Sequence, residues 1–241
     1  MFFSSVVVTM STPDYKGIYD NQAAQYDLLV AREDYQQNIM RALNQIAPLE
    51  GRDVVELGAG TGRLTSMLAP IAKSIQAFDA SAHMLDVAII KLRQSGLHNW
   101  RAEVADHRKL LVADGLADIV IAGWSICYTV VWHPEAWRDE LAAALAEMRR
   151  VARPGGTIII LETLGTGYET PHPPDSLADY YAALAAEGFA STWIRTDYRF
   201  TSPAEAEMLT RFFFGDALAE RLAAEQLVIL PECTGIWWRA S

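Results

Sequence analysis

The stretch Val54-Val55-Glu56-Leu57-Gly58-Ala59-Gly60-Thr61-Gly62-Arg63-Leu64-Thr65, followed by Ile75-Gln76-Ala77-Phe78-Asp79, decides the reading of this chain. It runs as a buried strand, a glycine turn and a helix start, then a second strand that ends on a carboxylate. Glycines at alternate positions let the backbone turn sharply and leave room for a ligand to lie against it. Amides at the helix start point towards that ligand, and Asp79 can accept two hydrogen bonds from a ribose diol. The constellation implies a nucleoside-containing cofactor.

Spacing separates one cofactor class from another. The dinucleotide fingerprint Gly-x-Gly-x-x-Gly puts its third glycine where this chain has Arg63; here it comes one residue early, at Gly62. Glu56 stands two residues before the first glycine. A carboxylate there is unfavourable beside a pyrophosphate and favourable beside an ammonium group. The pattern Glu-x-Gly-x-Gly-x-Gly resembles the first motif of the class I S-adenosylmethionine-dependent methyltransferases, whose cofactor carries an amino acid in place of the pyrophosphate. Asp79 follows about one helix and one strand later, in the range of a ribose-binding acid.

The chain has 241 residues, which suits one sizeable α/β domain, and 51% of them are hydrophobic, which excludes global disorder. A net charge of −10 repels phosphate backbones, so nucleic acid is not expected as a partner. Arg149, Arg150 and Arg153 fall at a helix end, where cations favour the dipole. Cys127 and Cys233 lie far apart without metal-ligand spacing and read as buried thiols of a reducing compartment. Met1–Met10 has Phe2-Phe3 and Val6-Val7-Val8 without a basic residue before them. That is neither the start of a secretory signal nor long enough to span a membrane. Met10 offers an alternative start, and the expected location is cytoplasmic with no membrane partner.

Tyr15 to Ile46 reads as helical, with Leu28, Leu29, Ile39, Met40, Leu43 and Ile46 recurring, until Pro48 and Gly51 end it. Strands at 53–58, 75–79, 100–104, 118–123 and 157–162 then alternate with helices over 62–72, 81–95 and 134–152, with only a turn around 107–113. Such alternation implies a parallel sheet with helices on both faces. Arg153-Pro154-Gly155-Gly156 breaks the third helix and launches Thr157–Leu161. A helix, this Pro-Gly-Gly turn and an apolar strand are a second resemblance to the methyltransferases. Ser176–Glu187 reads as a helix, 191–200 as a strand, 203–225 as helical and 227–239 as the last strand. The resemblance implies an α/β fold with a Rossmann-like, seven-stranded, mostly parallel sheet whose last strand is antiparallel. The expected organisation is an N-terminal extension with lid helices over 1–46, then a cofactor-binding domain over 47–241 with a helical insertion at about 202–225.

The resemblance also assigns roles by position, each with a plainer alternative. S-adenosylmethionine would lie on Gly58, Gly60 and Gly62, with its ammonium at Glu56 and its ribose at Asp79. Ala80 follows, and Met84 packs either on the adenine or in the core. Asp106 sits where the family often places an acid near the adenine amino group, with His107 beside it; otherwise Asp106 is a turn residue. Trp124 covers the cofactor or packs under a helix, and Tyr128, Trp132 and His133 face an acceptor in the first case. Tyr19 and Tyr26, seven residues apart, share a helix face, either as a lid or as an ordinary amphipathic surface. The loop 165–174 is a candidate substrate lid. If the acceptor must lose a proton, His133, Glu162 and His172 are the candidate bases.

Two absences narrow the acceptor. DNA amino-methylating enzymes of the family carry an Asn/Asp/Ser-Pro-Pro-aromatic tetrapeptide where this chain has Trp124-Ser125-Ile126-Cys127. Catechol-type enzymes need metal-binding carboxylates there, and Ala122-Gly123 supplies none, so no metal is expected. The resemblance implies in-line methyl transfer to a small organic molecule. A non-catalytic S-adenosylmethionine-binding protein is the alternative, followed by an NAD-type oxidoreductase, against which Gly62 and Glu56 both count.

Overall fold

The computed structural model describes residues 13–241, so the expectations for Met1–Met10 lie outside the described residues. Its strands are β1 (Asp53–Leu57), β2 (Ser74–Asp79), β3 (Trp100–Val104), β4 (Ala117–Gly123), β5 (Ala152–Thr166), β6 (Ala190–Arg195), β7 (Tyr198–Arg199), β8 (Ile229–Leu230) and β9 (Glu232–Ala240). Seven of them form one sheet in the order β3-β2-β1-β4-β5-β9-β6, with β7 and β8 paired separately. Only β9 runs against its neighbours in the large sheet, antiparallel to both β5 and β6. This is the mostly parallel, seven-stranded sheet that the sequence implies.

The run Ile158-Ile159-Ile160-Leu161 shows why a parallel sheet forms. All four side chains are buried, and alternate residues of a strand point to opposite faces. Ile158 and Ile160 enter one core with α7 (Trp137–Val151) and α8 (Ala178–Ala186). Ile159 and Leu161 enter the other with α3 (Asn38–Ile46) and α4 (Arg63–Leu68). α3 is thus part of the packing under the sheet. α1 (Tyr15–Asn21) and α2 (Ala23–Val30) lie on α5 (Ala82–Gln94), and α2 also meets α9 (Pro203–Phe214).

Several boundaries differ from expectation for local reasons. α4 stops at Leu68 rather than position 72: Ala69 still has helical backbone and bonds to the Thr65 carbonyl, but Pro70 has no amide proton to continue the ladder. The stretch 15–46 is three helices, with a turn over 31–36 and Gln37 in a left-handed conformation before α3. A short α6 (Tyr128–Trp132) precedes α7. The 203–225 segment is α9 and α10 (Asp216–Ala224), parted at Gly215. Arg153–Gly156 does not end the sheet: Ala152 already pairs with Ala117, and the ladder shifts register before Ile119 meets Thr157. The expected strand over 227–239 splits at Pro231, which has no amide proton to offer a ladder. The one over 191–200 splits at Thr196-Asp197, where the Asp197 carboxylate takes the Glu232 amide at 3.0 Å. Among the described residues, no helix is long and apolar enough to cross a membrane. Cys127 and Cys233 are both free and buried.

Candidate functional site: a cavity at the carboxyl ends of β1, β2 and β4

The strand order reverses between β1 and β4, the point where ligands collect outside the carboxyl ends of such sheets. The glycine turn leaves β1 there and the loop Trp124–Cys127 leaves β4. The two approach closely: a Cβ on Gly58 would fall 2.2 Å from Ser125 Cβ, and Gly58 has a φ of +66°. Only glycine fits both the space and the backbone. Between these loops and the N-terminal helices lies a cavity of about 400 Å³, within the usual size of small-molecule sites.

Glu56, at the end of β1, is buried and faces this cavity. Its Oε2 accepts the Thr65 hydroxyl at 2.5 Å. Burial pushes its carboxyl up to about 8, opposed by the Thr65 hydrogen bond and reinforced by the Asp79 charge. A buried carboxylate without a full countercharge is a receptor for a cation. Asp79 ends β2 on the same cavity. Its Oδ2 accepts the Gly60 amide and its Oδ1 the Ser81 amide, each at 2.8 Å. Burial raises its pKa while these amides lower it. Ser81 caps α5 through the Met84 amide at 3.3 Å, so Asp79 keeps acceptor capacity for a ligand.

The other candidate cofactor residues divide cleanly. Tyr19, Tyr26, Gly60, Ala80, Met84, Asp106, His107 and Trp124 all line the cavity. Asp106 is claimed by Arg108, whose Nε reaches Oδ1 at 2.7 Å and holds the carboxyl down at about 2. The buried Nε2 of His107 has no partner among the described residues, and burial lowers the pKa of that ring. Gly62 is not a lining residue. Its left-handed backbone starts α4, and a Cβ there would press to 2.9 Å on Ala88 Cβ, so its smallness serves the packing of α4 on α5.

Of the three candidate bases, only His133 lines the cavity. Glu162 lies behind the β4 loop, fully buried, and accepts the Cys127 amide and the Tyr180 hydroxyl, each at 3.0 Å. Burial raises its pKa to about 7, against those hydrogen bonds. It braces the loop from below. His172 stacks on Tyr168 with ring centroids 4.1 Å apart, away from the cavity. The loop carrying both is tied to the C-terminal region, with the Gly167 amide on the Pro231 carbonyl at 2.7 Å, and does not line the cavity. Among the described residues no group of three His, Cys, Asp or Glu could hold a metal.

Sequence reasoning missed Thr61 and Arg63 within its own motif, and Lys16, Asp20 and Glu140 at the rim. The signal for Arg63 was available as a charged residue directly after the last glycine. The cavity roof is aromatic. The Tyr19 ring meets those of Tyr26, Tyr128, Trp132 and Phe213 at centroid distances of 5.4, 5.5, 6.4 and 6.4 Å. The Tyr19 and Tyr128 hydroxyls share a hydrogen bond of 2.5 Å. Burial pushes both phenols well above their ordinary range.

S-adenosylmethionine fits these residues on three counts: an under-compensated carboxylate for its ammonium, a strand-end aspartate for its ribose and a close-packed glycine turn between them. Comparison with known proteins agrees. A family described as methyltransferase domain matches residues 54–156. The uncharacterized protein YafE of Escherichia coli is 32% identical over 46% of this chain and 49% of its own length. The ubiquinone/menaquinone biosynthesis C-methyltransferase UbiE of Coxiella burnetii is 27% identical over 66% of this chain and 63% of its own. The chain thus spans about half of one relative and under two thirds of the other. In fold it resembles the [4+2]-cyclase SpnF, with a TM-score of 0.61, 18% identity and coverage of 96% of this chain and 98% of that one. Motif, strand order and matched domain coincide on the same residues: over residues 54–156 the chain is similar to a methyltransferase domain, and its fold is that of the structures it resembles.

Proposed function

We propose that the protein transfers a methyl group from S-adenosylmethionine to a small organic acceptor. The observation that carries this reading is the placing of Glu56, buried, and Asp79, half-buried, at the ends of adjacent parallel strands on one cavity. When bound, the cofactor supplies an electrophilic methyl on a sulfonium, so the protein's work is positioning and exclusion of water. Holding two reactants in line is worth roughly 7–11 kcal/mol. Glu56 and Asp79 would hold the two ends of the cofactor. The aromatic roof of Tyr19, Tyr128 and Trp132 would wall the acceptor, with α1 and α2 as the lid. A cavity of about 400 Å³ and a net charge of −10 support a small acceptor over a nucleic acid. His133 is the base if the acceptor carries a proton on its reacting atom.

A second reading is binding of S-adenosylmethionine without methyl transfer, because a fold does not fix a reaction and a protein of similar fold is named as a [4+2]-cyclase. A screen of phenols, amines and carboxylates for S-adenosylhomocysteine formation separates the two. Turnover with any of them supports methyl transfer; cofactor binding without turnover across the panel favours the second reading.

A further inference from the structure

Arg63 carries a pairing that the fold alone does not require. It follows the last glycine of the turn, lines the cavity, and gives Nη1 to Oε2 of Glu33. Glu33 lies buried in the turn after α2, and the Tyr198 hydroxyl donates to the same oxygen at 3.0 Å. One face of the guanidinium is covered by Trp124, with 3.6 Å from its central carbon to the ring centroid. Nε and Nη2 make no hydrogen bond among the described residues and are not fully buried, in a side chain that lines the cavity. Arg63 is also close enough to Glu56 to oppose the rise of its pKa. One end of the cavity therefore offers an anion and a cation side by side, the complement of a zwitterionic amino acid group.

We propose that Arg63 binds the carboxylate of the cofactor's methionine group, and that its pair with Glu33 couples occupation of that end of the cavity to the seating of α2. The first half follows from the fork geometry of guanidinium: with Nη1 on Glu33, the Nε–Nη2 edge presents two donors to a carboxylate. The second follows from how Glu33 is held. The Asp34 amide donates to the Thr196 carbonyl at 3.2 Å, and the Arg199 amide to the Arg32 carbonyl at 2.8 Å. Arg32 pairs with Glu205 of α9 at 2.7 Å. The turn is thus fastened to β7 and α9 on one side and to the cofactor's arginine on the other. α2 enters this turn and carries Tyr26 into the cavity. Drawing Arg63 onto a ligand fixes the position from which Glu33 anchors that helix.

This inference rests on the cavity being an S-adenosylmethionine site, and three probes keep the two ideas apart. S-adenosylmethionine carries both charged groups, its decarboxylated form lacks only the carboxylate, and 5′-methylthioadenosine lacks the whole amino acid. Titration calorimetry of the full chain is expected to show S-adenosylmethionine binding about 10- to 100-fold tighter than its decarboxylated form. Arg63→Gln should abolish that preference, bringing the affinities for the two ligands to within about threefold of each other. Because Arg63→Gln leaves Glu33 buried without its countercharge, the double variant Glu33→Leu/Arg63→Met, checked for native circular dichroism, should show the same loss. Hydrogen exchange supplies a readout besides affinity: S-adenosylmethionine should slow the amides of residues 23–37, and the decarboxylated form should not. Equal affinity of the wild type for the first two ligands overturns the Arg63 assignment, and 5′-methylthioadenosine binding then leaves the cofactor reading intact. Equal protection of residues 23–37 by both ligands overturns the coupling. No binding of any of the three by folded protein overturns the inference together with the site.

Discussion

The Gly60 amide donates to Asp79 Oδ2 at 2.8 Å, joining the middle of the glycine turn to the end of β2. One carboxylate thereby shapes the turn before any ligand arrives and stands where a ribose would be held. Asp79→Ala should weaken S-adenosylmethionine binding by about 1–3 kcal/mol, the cost of losing a charged hydrogen-bond partner. It should also speed exchange of the Gly60 amide. Unchanged affinity by calorimetry would place the ribose elsewhere.

Glu56 gives the ligand-free protein a pH dependence of definite sign. Its carboxyl titrates near 4.5 when unfolded and at about 8 when folded and buried. The folded chain then holds the extra proton between those values, so the Glu56 contribution to stability is present below about 4.5 and lost as pH rises towards about 8. Glu56→Gln should flatten the fall in Tm across that window, as seen by thermal melts in a pH series. Binding an ammonium group to Glu56 must expel the proton. At pH 7 the binding enthalpy should therefore depend on the ionisation enthalpy of the buffer, with release approaching one proton. A buffer-independent enthalpy would contradict the pairing.

Much of this was legible in the sequence because short-range chemistry dictates it. Val54–Thr65 needs only an apolar strand, glycines where φ is positive and a polar strand end, and these are local properties. Gly62 was legible as a turn residue and misplaced as a ligand floor, since its neighbour Ala88 lies 26 positions on and is brought close only by packing. Glu162 and His172 share that difficulty. A carboxylate near a strand end reads the same whether it points into a cavity or behind a loop, and the side is set by sheet register. The Glu33–Arg63 pair spans two segments joined only in the folded state, so no periodicity announces it.

The Tyr19–Tyr128 hydroxyl pair should show energetic coupling. Each of Tyr19→Phe and Tyr128→Phe leaves a half-buried hydroxyl unmatched and should cost about 1 kcal/mol. The double variant should cost less than the sum, with an interaction energy of about 0.5 kcal/mol or more in a double-mutant cycle. Additive losses in urea unfolding would show that the hydroxyls act separately.

Glu162→Gln keeps an acceptor for the Cys127 amide and the Tyr180 hydroxyl and should retain most activity. Glu162→Leu strands both donors and should destabilise by about 1–3 kcal/mol for each. A bracing role is contradicted if Glu162→Gln abolishes turnover in a protein of native stability, the behaviour of a general base.

The Glu56–Asp79 cavity is expected to select a nucleoside carrying an amino acid over one carrying a pyrophosphate. Parallel calorimetric titrations of the folded protein with S-adenosylmethionine and with NAD test it most directly. Saturable one-to-one heat is expected with S-adenosylmethionine, lost progressively in Glu56→Gln and Asp79→Ala, and none with NAD. Heat with NAD alone, or S-adenosylmethionine binding indifferent to both substitutions, would contradict it.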